Sequence, residues 1–249
     1  MNSKTNKRYH PTERILEWCE AASKDMKTFY RQQVVYQASS RNTISEFLLK
    51  NPNLWNDIKT LTRQKSYKCE RPGVESGDKL NAAKEAWLAM SMYTCSDKTG
   101  HEYDAIGKVI AYQTPSENVP ADNTGDVDLM AWSSKENILY LIELKASDNE
   151  ESFFHGVLQI CTYYQLLNRE KLLADFEKPQ GSEIIPVVAI FKKNNSTGRD
   201  STAYRHLIDP KYSRVIDLMN SRGVKVALLS GDIGKELDGS KIKVEWWTK

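Results

Sequence analysis

A hydrophobic segment in the middle of the chain ends in two charged residues, and this feature restricts the possible folds most strongly. Residues 138–145 have the sequence ILYLIELK. Such a run is typical of a buried β-strand. Because side chains alternate between the two faces of a strand, Glu143 and Lys145 are expected to share one face. Burying these charges is costly unless they are paired or bind a metal ion.

A second strand with acidic residues is expected just upstream, over residues 125–132, which have the sequence GDVDLMAW. Residues 133–138 are of suitable length to connect the two strands as a hairpin. The pairs expected across this hairpin are Asp128 with Glu143, Asp126 with Lys145, and Trp132 with Leu139. The polar side chains would then lie together on one face of the sheet.

Clustered carboxylates favour Mg²⁺ or Mn²⁺, because these cations prefer oxygen ligands. We expect Asp128 and Glu143 to bind such a cation, whereas Asp126, on the same face as Asp128, could support the site or face solvent. Lys145 could position the attacking water, help to deprotonate it, or offset phosphate charge. The arrangement predicts hydrolysis of phosphodiester bonds without an organic cofactor.

The rest of the chain predicts an α/β protein with a mixed central sheet flanked by helices. Apolar positions at helical spacing occur over residues 11–38, and further helices are expected near residues 45–49, 54–58, 80–93, 152–170 and 213–222. Additional strands are expected at residues 108–113, 184–191 and 224–229. A turn-rich stretch at residues 70–78 suggests a helical N-terminal region over residues 1–75 and a catalytic core over residues 76–249.

Charge is distributed unevenly along the chain. Residues 1–71 contain 14 Lys and Arg against 7 Asp and Glu, whereas the remainder contains 21 against 26. A basic N-terminal region beside an acidic core suits a protein that contacts polyanions such as nucleic acid. A solvated helix surface explains the same charges. The N-terminal helices are equally compatible with DNA binding, a homodimer, or a protein partner.

Several classes of protein are disfavoured. No apolar stretch is long enough for a transmembrane helix, and the N-terminus lacks the apolar region of a secretory signal, so we expect a cytoplasmic protein without membrane contact. The cysteines at positions 19, 69, 95 and 161 are scattered and lack a CxxC pair, which favours reduced thiols over zinc ligands or disulfides.

The order of these residues resembles the PD-(D/E)XK nuclease superfamily. Asp128 followed by Glu143-Leu144-Lys145 on the next strand is similar to its signature, with Val127 in place of the leading proline. The resemblance covers roughly residues 80–230. It implies a restriction-endonuclease-like core and a metal-dependent nuclease, with Asp128, Glu143 and Leu144 at the metal and Lys145 in catalysis.

A second element of the resemblance follows on the next helix. Gln159 and Tyr163 are four residues apart, so they share a helix face, and they resemble the QxxxY element of the lambda-exonuclease and RecB-like branch. In that branch these residues support the site and the nucleic-acid strand. The branch often adds an acidic residue from an earlier helix, for which Glu85 is the candidate and Glu102 and Glu117 are weaker rivals. His155, one turn before Gln159, could reach a phosphate, although a solvated histidine at a helix start is the more ordinary interpretation.

The expected function is therefore a Mg²⁺- or Mn²⁺-dependent nuclease acting on DNA, with exonuclease and endonuclease action both open. A catalytically silent module that binds nucleic acid or protein on a nuclease-like fold is the main alternative. A small-molecule hydrolase, or another phosphoryl-transfer enzyme that uses the same cation, is a third.

Overall fold

The centre of the structure is a mixed sheet of seven strands whose order in space follows their order in the chain. The computed structural model describes residues 11–69, 84–116, 125–145, 153–194, 197–231 and 238–248. The strands are β1 (Glu102–Tyr103), β2 (Gly107–Pro115), β3 (Asp126–Ser133), β4 (Ile138–Lys145), β5 (Glu183–Phe191), β6 (Lys225–Ser230) and β7 (Lys243–Trp246).

Strand direction changes in the middle of this sheet. Strands β1 to β4 are antiparallel neighbours, as are β6 and β7, whereas β4, β5 and β6 run parallel. The tight turn between β3 and β4 includes Asn137 at a φ of 59°, a left-handed conformation that asparagine tolerates. Parallel neighbours need crossover connections, and right-handed crossovers that advance in one direction place their helices on one face.

Helices cover both faces of the sheet. They are α1 (Pro11–Ala22), α2 (Arg41–Lys50), α3 (Lys84–Thr99), α4 (Phe153–Leu166), α5 (Arg169–Asp175), α6 (Thr202–Ile208) and α7 (Ser213–Ser221). One hydrophobic cluster joins a sheet face to the crossover helices α4 to α7 and extends into α1 and α2. A second cluster joins the other face to α3. The expected α/β class, with a mixed sheet between helices, is confirmed.

The N-terminal residues share the larger hydrophobic cluster with the sheet. Ile15, Phe29 and Trp55 are buried in the same cluster as Leu139 and Leu141 of β4. The expected boundary near residue 75 lies outside the described residues. Residues 11–69 therefore contribute to the core against which the crossover helices pack.

Two helix predictions were too long. The apolar spacing over residues 11–38 predicted one helix, but α1 ends at Ala22 and short 3₁₀ turns follow as far as Ser40. The segment 152–170 divides into α4 and α5, because the Asn168 side chain accepts a hydrogen bond from the Lys171 amide at 3.0 Å and caps a new helix. The sequence patterns also missed the short elements β1, α6 and β7.

The described helices include none with the length and apolar character needed to span a membrane. All four cysteines are free thiols. Burial is the main cause that raises the pKa of both Cys19 and Cys161 to about 12. These two thiols are therefore protonated side chains of the hydrophobic core.

Candidate active site

The acidic ends of β3 and β4 lie side by side, and their register agrees with the hairpin expectation in part. Trp132 pairs with Leu139 as expected, and regular pairing continues to Leu129 and Ile142. The next residue outward, Asp128, accepts a hydrogen bond from the Leu144 amide through Oδ2 at 2.8 Å. The Asp128 carboxylate, rather than a main-chain carbonyl of β3, therefore accepts the hydrogen bond from this amide of β4, next in sequence to Glu143.

The expected pairing of Asp126 with Lys145 is wrong. The paired register of β3 and β4 ends at Leu129, whereas Asp126 pairs with Pro115 of β2. Because the Leu144 amide donates to the Asp128 carboxylate, the regular main-chain hydrogen bonding between β3 and β4 does not extend to Asp126. Asp126 still lies close enough to contribute to the raised pKa of Asp128.

Glu143 and Lys145 form a buried ion pair on the face of β4 that α4 covers. Only 1% of Glu143 and 2% of Lys145 is exposed, and Lys145 Nζ donates to Glu143 Oε1 at 2.9 Å. The second carboxylate oxygen, Glu143 Oε2, is buried and has no hydrogen-bond partner among the residues that the structure describes. Buried polar atoms are nearly always satisfied in proteins, so this oxygen requires an explanation.

The two acids are held in an environment that disfavours their charged forms. Burial raises the pKa of Asp128 to about 7, against the opposing effects of Lys145 and the Leu144 amide. Burial, followed by the nearby Asp128 carboxylate, raises the pKa of Glu143 well above its usual range, although Lys145 opposes this. One lysine faces two carboxylates here, so an additional positive charge would be stabilised.

Helix α4 places Gln159 and Tyr163 beside these charges. Gln159 Nε2 donates to Tyr163 Oη at 3.0 Å. Tyr163 is only 1% exposed, and its pKa is raised mainly by burial and next by the Glu143 carboxylate. The two residues that share a helix face by their spacing thus lie together, and Tyr163 is within electrostatic reach of Glu143.

Gly156 allows α4 to approach β4 and β5 closely. A Cβ atom at this position would lie 3.1 Å from Val188 Cγ1 and 3.3 Å from Lys145 Cε. Such contacts are tighter than a side chain normally makes against a packed core. The absence of a side chain at this position leaves room for the stem of Lys145 beneath the helix.

Glu85 reaches the same region from the first turn of α3. Its carboxylate contributes to the raised pKa of both Asp128 and Glu143, which places it within electrostatic reach of each. Of the rivals for its role, Glu102 is exposed on β1, and Glu117 lies outside the described residues. Glu85 is therefore near enough to act on the candidate site electrostatically.

A cation at this position could take two carboxylates and the main chain as its protein ligands. Within the described ranges, no three or more His, Cys, Asp and Glu residues are grouped as a metal site. The Leu144 side chain is buried in the α3 cluster, so Leu144 can contribute only its main-chain oxygen. Mg²⁺ commonly takes one or two carboxylates and keeps several waters, so Asp128 and Glu143 suit it.

Sequence reasoning missed the aromatic side chains that the N-terminal turns bring to α4. His155 was expected in solvent, but it is 5% exposed. Tyr36 Oη lies 3.1 Å from His155 Nε2, and the Tyr30 ring is 5.8 Å from the His155 ring. Nothing in the local pattern signals these contacts, since Tyr36 and His155 are 119 positions apart in the chain.

Comparison with known proteins identifies no relative of this chain. No family model matches the sequence, and neither a curated protein nor a solved structure matches it. The side chains at the ends of β3 and β4 are therefore the basis on which function has to be inferred.

Proposed function

We propose that this protein is a Mg²⁺- or Mn²⁺-dependent nuclease of the PD-(D/E)XK type, which hydrolyses phosphodiester bonds of DNA. The observation that carries the proposal is the buried Oε2 of Glu143, for which the described parts of the chain provide no hydrogen-bond partner. It lies beside an ion pair with Lys145 and next to the strand end that carries Asp128. A purely structural ion pair would be expected to satisfy both carboxylate oxygens.

The residues fit a divalent cation. Asp128 and Glu143 would hold it, with the main-chain oxygen of Leu144 as the third protein ligand. Both acids have raised pKa values in the protein alone, chiefly because of burial, and a cation would offset the cost of ionising them. When bound, Mg²⁺ or Mn²⁺ polarises a phosphoryl oxygen and makes water a stronger acid.

The remaining side chains orient the reactants. Lys145 Nζ is held by Glu143 Oε1 at 2.9 Å, and in the proposed enzyme it orients the attacking water and offsets phosphate charge. Gln159 and Tyr163 are joined by a hydrogen bond beside Glu143 and support the site from α4. Glu85 adds negative charge that strengthens attraction for a cation.

The architecture supports the same proposal. A mixed sheet lies between helices, which agrees with the core that the resemblance implies. Asp128, Glu143 and Lys145 lie at adjacent strand ends, and the helix carrying Gln159 and Tyr163 follows directly. Sequence order and spatial proximity thus point to the same set of residues.

The test is metal-dependent cleavage by purified full-length protein. Linear duplex, circular duplex and single-stranded DNA, together with RNA, should be incubated with Mg²⁺ or Mn²⁺. Variants Glu143→Gln, Asp128→Asn and Lys145→Met should lose cleavage while remaining folded. Glu183→Gln serves as the matched control, because Glu183 is an exposed glutamate at the opposite end of the sheet.

Calorimetric titration with Mn²⁺ provides a readout that does not depend on activity. We expect binding to wild type and to Glu183→Gln, and weaker binding to Asp128→Asn and Glu143→Gln. Binding of DNA without cleavage in any metal would support the silent binding module instead. Hydrolysis restricted to mononucleotides would support the small-molecule hydrolase, and either result would overturn the proposal.

A further inference from the structure

An arginine from the N-terminal turns is held in a fixed orientation near the candidate site. Arg31 is exposed at the end of the 3₁₀ turn Phe29–Arg31. Its Nε donates to Tyr30 Oη at 2.8 Å, and its guanidinium carbon lies 5.1 Å from the centre of the Tyr30 ring. These contacts restrict a side chain that would otherwise be mobile in solvent.

Tyr30 connects this arginine to the helix of the candidate site. The Tyr30 ring is buried and packs edge-on against the Tyr163 ring, with centroids 6.0 Å apart. A hydrogen bond between the two side chains is among the causes that raise the pKa of Tyr163. Arg31 therefore contacts Tyr30, and Tyr30 in turn contacts Tyr163, which is within electrostatic reach of Glu143.

Gly125 marks the point where these groups meet, directly before β3. A Cβ atom there would overlap Tyr163 Oη and would lie 3.5 Å from Arg31 Nη2. Gly125 also has a φ of +82°, a conformation that other residues rarely adopt. The guanidinium thus lies against the main chain that leads into the strand carrying Asp128.

The charge of Arg31 is not neutralised by any acidic side chain in the described part of the chain. None of the ion pairs among the described residues involves Arg31. A guanidinium presents paired N–H donors that match two oxygens of a phosphate group. An exposed, oriented arginine close to the start of β3, the strand that carries Asp128, is suited to an anionic ligand that also contacts the acidic ends of β3 and β4.

We propose that Arg31 binds a backbone phosphate of the nucleic-acid substrate, next to the phosphate that is cleaved. The N-terminal turns then form part of the substrate-binding surface, and Tyr30 is a positioning residue that holds the guanidinium in place. This inference rests on the proposed nuclease function. It assigns a role to a part of the chain that lies outside the residues resembling the nuclease superfamily.

The experiment measures DNA binding separately from cleavage, with full-length protein throughout. Anisotropy of a labelled DNA duplex, recorded in EDTA over a range of salt concentrations, gives the slope of log affinity against log salt. Arg31→Ala should bind more weakly and reduce the magnitude of that slope by about 0.9, the contribution expected from one phosphate contact on duplex DNA. Arg31→Lys, which keeps the charge, should restore most of the slope.

Arg14→Ala is the matched control. Arg14 is also exposed, and its guanidinium carbon lies 4.7 Å from the centre of an aromatic ring. That ring belongs to Trp18 of the same helix, α1. This variant should match wild type in binding and cleavage.

In Mg²⁺, Arg31→Ala should raise KM more than it lowers kcat. Tyr30→Phe should also raise KM, and its thermal midpoint should be measured alongside as a check on folding.

The outcomes separate the two proposals. Cleavage by wild type with equal salt slopes for Arg31→Ala and Arg14→Ala would overturn the role of Arg31 and leave the nuclease intact. DNA binding without cleavage, with the slope reduced in Arg31→Ala, would support the phosphate contact and overturn the nuclease. A wild-type protein that neither binds nor cleaves DNA would overturn both.

Discussion

The two faces of β4 are equally buried and chemically opposite. Toward the α3 cluster the strand presents only apolar or aromatic side chains, namely Tyr140, Ile142 and Leu144. Toward α4 it presents two leucines and then two charges, namely Leu139, Leu141, Glu143 and Lys145. Each of these side chains is at most 2% exposed, so burial alone does not distinguish the faces.

The difference between the faces is one of energetics. The apolar face stabilises the fold by removing hydrocarbon surface from water, at roughly 25 cal/mol per Å². On the other face, the desolvation of Glu143 and Lys145 offsets much of what their ion pair contributes. Charges that add little stability at a fully buried position are best explained by a use outside folding, which here is the proposed cation and phosphate chemistry.

The largest effect is expected when the charged face of β4 is made apolar like the opposite face. The double substitution Glu143→Leu with Lys145→Met should abolish cleavage, with a loss of about 10²- to 10⁴-fold or more in kcat. It should leave stability unchanged or raise it by about 1–4 kcal/mol. The change in the free energy of unfolding is best measured by urea unfolding at pH 6, because Asp128, with its pKa of about 7, is then largely protonated. A folded double variant with wild-type cleavage would contradict the assignment of the site.

A substitution on the apolar face should show the reverse behaviour. Ile142→Ala removes a fully buried side chain from the α3 cluster, and it should cost about 2–5 kcal/mol in the free energy of unfolding. Cleavage by the molecules that remain folded should change little at low temperature, since the charged side chains point to the other face. A stability equal to wild type would show that this face is less well packed than the structure indicates.

The charged face should also make stability depend on pH when no metal is present. Because the pKa of Asp128 is raised to about 7 from its usual value of 3.8, folding takes up a proton between these values. The free energy of unfolding should therefore fall as pH rises from about 4 to 7, and the full penalty should remain above pH 7. The raised pKa of Glu143 acts in the same direction.

Urea unfolding in EDTA from pH 5 to pH 8 measures this effect. The free energy of unfolding of Asp128→Asn should fall less steeply with rising pH than that of wild type over that range. Mn²⁺ should stabilise wild type more at pH 8 than at pH 5, because protons compete with the cation for the carboxylates. An identical pH dependence for wild type and Asp128→Asn would contradict the burial of this carboxylate.

The smallest effect is expected where α4 contacts the charged face. Tyr163→Phe removes the hydroxyl that accepts from Gln159 and contacts Tyr30, and it should cost about 0.5–1.5 kcal/mol. Chemical denaturation measures this loss, with Tyr204→Phe as the control, since Tyr204 is a partly exposed tyrosine of α6. A larger loss than for Ile142→Ala would mean that the polar contacts, rather than the apolar face, dominate stability here.

Much of the sheet could be predicted from local patterns. The apolar runs that form β4 and β5 and the alternation in β3 were sufficient, because burial on both faces requires nearly continuous apolar residues. Helical spacing was less reliable at the N-terminus. Met26, Phe29 and Tyr30 are buried as their spacing suggested, but the backbone at Gln32 and Gln37 is extended and the helix does not continue.

The candidate site was predictable only where its residues are close in sequence. Glu143 and Lys145 share a face because strands have a period of two, and Gln159 meets Tyr163 because helices bring residues four apart together. Glu85 was a candidate by analogy, and its position near both acids depends on how α3 packs. The Asp126 pairing failed because a side chain replaced the main-chain ladder at Asp128.

The sequence by itself determined the five longer strands β2 to β6, their alternation, and the charged pair at the end of β4, because these follow from backbone geometry over a few residues. Only the tertiary structure decided that Glu143 Oε2 lacks a partner within the described ranges, and that Tyr30 and Arg31 lie beside Tyr163. Those contacts join segments more than a hundred residues apart. Their geometry is set by the packing of helices and turns on the sheet, which no local pattern encodes.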